Sequence, residues 1–178
     1  MKMIIGLAAM LATIFLVAGV LAQSLPSNVD AIECDTDHPC ATQYHCVDGA
    51  CVLNTCGLEF TDINQNPITG INFGTNVLVG STVNGNPSPL NVKNTGNSVA
   101  SLSISGTDWN FAPTSIGTVG ATEWSADGST FAALETTSVQ ITSDLGSENS
   151  QPVYFKLTVP LGTTKGTYTQ TITFTAGC

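Results

Sequence analysis

Arginine is absent from the 178 residues, and the four positive side chains are all lysine: Lys2, Lys93, Lys156 and Lys165. Charged residues make up only 10% of the chain, against about 25% in an ordinary globular protein, and the 13 acids leave a net charge of −9. Phosphate recognition relies on clustered lysine and on the bidentate fork of arginine, so nucleic acids and nucleotides are excluded as partners. Histidine is nearly as scarce, with only His38 and His45, both before residue 57. A Ser-His-Asp constellation needs a histidine base, and everything after residue 56 lacks one. What the chain does have is 42% hydrophobic residues, enough to bury a core and too many for a disordered acidic chain. Its length allows one fair-sized domain and a small module.

The N-terminus carries one charge, Lys2, and then an apolar run from Met3 to Ala22 interrupted only by the hydroxyl of Thr13. One positive charge, an apolar core and Val20-Leu21-Ala22 before Gln23-Ser24 read as a secretory signal cut after Ala22. Twenty apolar residues at about 1.5 Å each also span about 30 Å, so residues 1–22 alternatively form an uncleaved transmembrane signal anchor. Either way the single lysine before the segment exports everything after residue 22.

Six cysteines follow: Cys34, Cys40, Cys46, Cys51, Cys56 and Cys178. An even count in an exported chain is the mark of a disulfide framework, although six cysteines allow 15 pairings. Five of them crowd into residues 34–56 while the sixth ends the sequence, so one bridge has to join the Cys-rich end to residue 178. Cys56 is the expected partner, because it opens the following domain and leaves four cysteines for a self-contained knot. Within that knot the favoured pairs are Cys34 with Cys46 and Cys40 with Cys51, and the other arrangements stay open.

Residues 31–56 show no period long enough to fold unaided, and so small a module usually needs covalent staples. Its spacing, Cys34-x2-Asp37-x2-Cys40 and Cys46-x2-Gly49-x-Cys51-Val52, resembles the short C-x2-D-x2-C…C-x2-G-x-C modules of many secreted proteins. The resemblance covers about 20 residues and implies a structural spacer or interaction knob.

From Leu58 onward, short alternating segments are separated by Gly, Asn, Pro, Asp and Ser, the mark of a sandwich or barrel. Val153, Phe155, Leu157 and Val159 alternate with Tyr154, Lys156 and Thr158 in a strand over Gln151–Pro160. A second strand over Thr167–Ala176 sets Tyr168, Ile172 and Phe174 against threonines 167, 169, 171, 173 and 175. With residues 161–166 as a turn, these two read as consecutive antiparallel strands. Pro89–Lys93 and Val99–Ser105 flank an Asn94-Thr95-Gly96-Asn97 turn whose residue types tolerate positive φ. Further strands are expected at Leu58–Ile63, Ile71–Gly80, Thr114–Trp124 and Thr137–Ser143, giving the seven to nine of a sandwich.

Residues 89–97 with the strand after them, and the closing Val159-Pro160-Leu161-Gly162-Thr163-x2-Gly166-Thr167-Tyr168, resemble the immunoglobulin-like β-sandwich domains of archaeal and bacterial cell-surface proteins. The resemblance spans most of residues 58–178. It implies an all-β fold and a surface setting, with no active site. The Cys…Trp…Cys arrangement of antibody domains is missing.

Candidate sites are few. Calcium prefers clustered oxygen ligands: Asp35, Asp37 and Asp48 lie in the Cys-rich loops, and Asp62-x-Asn64-x-Asn66 echoes the start of an oxygen-ligand loop without its glycine or distal glutamate. Asp and Asn also cap turns for local reasons. Zinc is disfavoured because the cysteine spacings exceed those of structural zinc pairs and export favours oxidation. Trp109 and Trp124 beside loops offer a conceivable sugar platform, and core packing is the ordinary role of such residues. Acid pairs suited to glycoside hydrolysis are not indicated.

The expectation is therefore an apolar leader (1–22), a linker and disulfide-rich module (23–56) and an immunoglobulin-like sandwich (57–178). The implied role is a non-enzymatic extracellular or cell-surface structural protein, without cofactor, working through contacts with other protein subunits or envelope components in a filament or envelope, including as a homopolymer. The alternative is a carbohydrate- or calcium-dependent adhesin. A pilin-like filament is disfavoured because Met3–Ala22 contains no acid.

Overall fold

The computed structural model describes residues 34–36, 38–111, 114–115 and 121–178, so the expected leader at residues 1–22 lies outside the described residues. No helix among the described residues is long and apolar enough to cross a membrane. The described chain is all-β. Two compact units are present: the described part of the smaller holds residues up to Pro39 together with Cys46–Cys51, and the larger holds Cys40–His45 and Val52–Cys178.

The Cys-rich segment contains a hairpin of β1 (Tyr44–Val47) and β2 (Ala50–Leu53). Asp48 and Gly49 join the strands with φ of 49° and 81°. A two-residue loop with both residues at positive φ matches the right-handed twist of a hairpin, and Asp-Gly is among the pairs that supply it most readily. Cys34 is disulfide-bonded to Cys46 across a Cα–Cα distance of 5.7 Å, and the Cys34 N–H donates to the Gly49 carbonyl at 2.9 Å.

The larger unit continues with β3 (Leu58–Thr61), β4 (Thr82–Asn84), β5 (Leu90–Asn94), β6 (Ala100–Gly106), β7 (Asn110–Phe111), β8 (Thr114–Ser115), β9 (Thr122–Ser125), β10 (Ala132–Ala133), β11 (Val139–Leu145), β12 (Ser150–Thr158) and β13 (Ile172–Gly177). One sheet runs β10-β9-β12-β5-β3, with β4 also on β12, and a second runs β11-β6-β13; β7 and β8 form a small ribbon. The pairings of both large sheets are antiparallel.

Alternation along the strands explains what holds the sheets together. Val153, Phe155 and Leu157 of β12 are buried while their neighbours are not, and Leu90 and Val92 of β5 and Leu102 and Ile104 of β6 repeat the period of two. Leu90, Val92, Leu102, Ile104, Val153 and Phe155, from both sheets, join Trp124, Leu134 and Leu145 in one hydrophobic cluster. Phe174 of β13 lies 5.3 Å from Phe60 of β3 and 6.4 Å from Phe155 of β12, centroid to centroid, so rings on both sheets meet in that cluster. Cys56 and Cys178, with Cα atoms 5.9 Å apart, bond the segment entering β3 to the residue after β13.

The structure corrects several strand expectations. Ile71–Gly80 is not a strand: apart from a bridge between Asn72 and Asn86, it is irregular. Its Gly74, Asn76 and Gly80 adopt positive φ, and glycine-rich backbone breaks a ladder. The segment at Thr114–Trp124 is not one strand either. Only β8 and β9 are described there, and the latter ends at Ser125. The last two long strands are not hairpin partners, because β12 and β13 belong to different sheets and residues 159–171 carry the chain between them. Thr167–Gln170 precedes β13 with one bridge, between Thr169 and Asn110.

Candidate functional site

Asn94 ends β5 and is fully buried, which for an amide requires partners on every side. Its Nδ2 donates to the Ser98 carbonyl at 2.8 Å and the Leu145 carbonyl at 2.9 Å, and its Oδ1 accepts from the Gly96 N–H at 2.9 Å. Its backbone N–H donates to Asn149, and its carbonyl accepts from Glu148. One side chain therefore fixes the β5–β6 turn against the β11–β12 turn. Residues 94–97 need no positive φ here, so the expected reason for their identity is replaced by another. Gly96 is required because a Cβ would overlap the Thr55 carbonyl. Asn97 completes the clasp: its Oδ1 accepts from the Thr55 N–H at 2.8 Å and its Nδ2 donates to the Leu53 carbonyl at 3.0 Å.

The calcium candidates are occupied by the protein itself. Asp62 Oδ1 accepts from the N–H groups of Asn64 and Asn66 at 2.8 and 2.9 Å, and Oδ2 accepts from Asn66 Nδ2 at 2.9 Å. The Asn66 amide, ahead of the two backbone N–H groups, holds this exposed carboxyl below its ordinary value. Asn64 contributes backbone to that loop. Asp35 Oδ1 accepts from the His38 backbone N–H at 2.7 Å and faces the His38 ring at 3.1 Å. Asp48 forms the hairpin turn, and Asp37 lies outside the described residues. Asp127 is a turn acid too: its Oδ1 accepts from Ser129 N–H, Thr130 N–H and the Ser125 hydroxyl at 2.7–2.9 Å. The Thr130 and then the Ser129 N–H hold its carboxyl far below the usual range. The run Asp127-Gly128-Ser129 is the turn signal that the sequence carries for it.

Cys34, Cys40 and Cys51 are the group of possible metal-ligating side chains found among the described residues, and all six cysteines are disulfide-bonded, with none free. Disulfide sulfurs lack the thiolate that zinc takes. A disulfide-bonded chain of this kind belongs to an oxidising environment.

Both tryptophans are inside. Trp109 is buried against the edge of Phe73, with ring centroids 5.8 Å apart, and its indole N–H donates to the Thr122 hydroxyl at 2.9 Å. Thr122 donates onward to Gln170 Oε1 at 2.7 Å, and Gln170 Nε2 donates to the Thr107 carbonyl at 2.7 Å. Trp124 belongs to the core cluster, and its buried indole nitrogen has no protein acceptor. Neither ring offers a face for a sugar to stack on.

The face that β13 presents with β6 is polar and uncharged. Thr173 and Thr175 of β13 are exposed and pair with Ser105 and Ser103 of β6, with Ser101 beyond. Thr167, Thr169 and Thr171 are exposed as well. β13 is an edge strand of its sheet and carries no charge, no proline and no register shift. The opposite edge, β11, has two register shifts and Asp144. On the other sheet, Lys156 covers the Phe131 ring with its ammonium 3.6 Å from the centroid, and Lys93 is paired with Glu148. Comparison with protein-family models, curated proteins and solved structures finds no match.

Proposed function

We propose that this chain is a non-enzymatic extracellular structural protein, a stapled knob followed by an immunoglobulin-like sandwich, that works through protein contacts in a cell envelope or filament. The observation that carries the reading is the uncharged edge strand β13 with its threonine and serine face. Natural sheets guard exposed edges with lysine, proline or bulges, because unpaired N–H and C=O groups template pairing with another chain; β13 has none of these guards. Two of the acids that a calcium-binding or catalytic reading would use, Asp62 and Asp127, are engaged as turn acceptors instead. The Cys56–Cys178 bridge adds resistance to fraying at the ends of the body. Proteolysis and mechanical load are the stresses such a bridge opposes.

The experiment is a proteomic cross-linking measurement on the native cell surface. Cross-links from Lys93, Lys156 or Lys165 to other envelope subunits or to further copies support the proposal. A chain recovered only as a freely diffusing species, with turnover on peptide, ester or glycan substrates that Asp108→Asn, Asp127→Asn or Asp144→Asn abolishes, refutes it.

A further inference from the structure

The smaller unit brings three sulfurs together, and the turn of its hairpin is the reason. Asp48 and Gly49 form a two-residue loop between β1 and β2, so Val47 stands opposite Ala50 and Cys46 opposite Cys51. Directly opposed residues share a face of the hairpin, with Cβ atoms about 4.5–5.5 Å apart. Cys34 is bonded to Cys46, and its Sγ also lies within 4.8 Å of the Cys51 Sγ. Cys34 therefore has two sulfurs side by side within reach and is bonded to one of them. With Cys34–Cys46 and Cys56–Cys178 joined and no cysteine free, Cys51 is bonded to Cys40.

Exposure differs along this path. Cys46 is exposed, Cys51 is half-buried, and Cys34 is buried at 5% exposure. A thiolate arriving from solvent meets the Cys46 sulfur first, and the sulfur it displaces is the buried Cys34. Thiol–disulfide exchange runs through such an attack and the mixed disulfide it forms. Once displaced, Cys34 is held beside the next disulfide, so the second attack is intramolecular and has the advantage of a fixed neighbour over a reagent in solution. Charge selects the incoming thiol. Residues 23–56 contain Asp30, Glu33, Asp35, Asp37 and Asp48 and no lysine, and Asp35 and Asp48 are exposed. Such a field repels an anionic thiol and attracts a cationic one.

We propose that the Cys-rich module is a thiol–disulfide exchange site that takes a positively charged thiol at Cys46 and re-pairs Cys34 with Cys51. The incoming thiolate, its proton lost to solvent, bonds the Cys46 Sγ and breaks the Cys34–Cys46 bond, leaving the electron pair on Cys34. The Cys34 thiolate then bonds the Cys51 Sγ and breaks the Cys40–Cys51 bond. That electron pair leaves on Cys40, which takes up a proton. One thiol is consumed and one is released, so the sequence needs no oxidant or reductant. The module ends covalently joined at Cys46 to the bearer of the thiol. The site is separate from β13 and does not depend on what that edge docks.

The test treats the folded full chain with cysteamine, traps free thiols with N-ethylmaleimide and maps the peptides without reduction. Cleavage before each aspartate puts Cys34, Cys51 and the Cys40/Cys46 pair on separate peptides, and fragmentation locates each label. The expected product carries cysteamine on Cys46, maleimide on Cys40 and a Cys34–Cys51 link, while Cys56–Cys178 stays intact. A Cys34–Cys51 link accompanied by Cys40–Cys46 is the same relay after Cys40 has expelled the cysteamine, and supports it equally. At equal thiolate concentration, 2-mercaptoethanesulfonate reacts several-fold more slowly, and the gap narrows with added salt. In the double variant Cys40→Ser with Cys51→Ser the second step is gone, so the maleimide appears on Cys34 and the cysteamine stays on Cys46. The wild-type map decides alone should that variant unfold. Maleimide on Cys34 in the wild type, with Cys40–Cys51 intact, overturns the relay. A first adduct on Cys40 or Cys51, or no reaction without denaturant, overturns Cys46 as the point of entry. Equal rates for the two reagents overturn the selection by charge.

Discussion

Replacing Asn94 by alanine removes three side-chain hydrogen bonds at once. It leaves the Ser98 and Leu145 carbonyls and the Gly96 N–H without their partner. Two of the three bonds lie in or beside fully buried structure. At about 1 kcal/mol net for each bond, and more for a group left buried and unpaired, the loss comes to about 3–4 kcal/mol. That is a large share of the 5–15 kcal/mol by which ordinary domains are stable. Asn94→Asp is a sharper probe of the same geometry. A carboxylate keeps the acceptor for Gly96 but turns a second oxygen toward two carbonyl oxygens, which repel it. The folded-state pKa of the introduced Asp is thereby raised above its unfolded value near 3.9. With the pKa raised, the penalty is absent below about pH 4 and grows as pH rises toward the folded-state pKa. Stability relative to wild type therefore falls from acid to neutral pH. Urea unfolding followed by fluorescence at a series of pH values measures both variants. An Asn94→Ala cost under about 1 kcal/mol, or an Asn94→Asp cost independent of pH, refutes the assignment of Asn94 as the buried hub of these turns.

The Cys56–Cys178 bridge closes a separation of 122 residues, and chain entropy gives it about 5 kcal/mol as an upper value. Cys56→Ala with Cys178→Ala lowers the urea midpoint accordingly, and non-reducing peptide mapping of the parent recovers the two residues in one linked fragment. Asp127 has its folded-state pKa depressed by the Thr130 and Ser129 N–H groups. Its contribution is present above the ordinary carboxylate value and is lost as pH falls below about 4. Asp127→Asn flattens the acid limb of stability, and an unchanged limb contradicts the turn assignment. Trp109→Phe breaks the bond to Thr122, whereas Trp124→Phe removes an unpaired buried N–H. Thermal unfolding ranks the Trp109 variant as the more destabilised, and the reverse order counts against the two indole environments.

How much of this was legible in the sequence depends on the kind of signal. Alternation is a local property, so the buried face of β12 could be read from Val153, Phe155 and Leu157 directly. Which sheet a strand joins is not local. The turn residues 161–166 promised a hairpin, and the chain instead passes to the other sheet, where Phe174 meets Phe60 and Phe155. Composition also misled at Ile71–Gly80, whose apolar residues suggested a strand although its glycines and Asn76 impose positive φ. At Asp48-Gly49 the turn pair itself is legible, but strands of four residues on either side are too short to show as a period, so the hairpin does not. The tryptophans show the limit from another side: a residue beside a loop can still point inward, and only packing against Phe73 or Phe155's cluster decides. Asn94 looked like a turn former, and its role as a donor to Leu145, 51 residues away, exists only in three dimensions.

The central claim is that this chain acts by being held among other protein subunits and not by turnover, and native mass spectrometry of the protein released from its own cells without denaturant tests it most directly. The account predicts assemblies in which the chain, at or below 18.4 kDa, is bound to further copies or to other envelope proteins. The same material shows no hydrolysis of peptide, ester or glycan substrates. A homogeneous monomer that turns over such a substrate contradicts it.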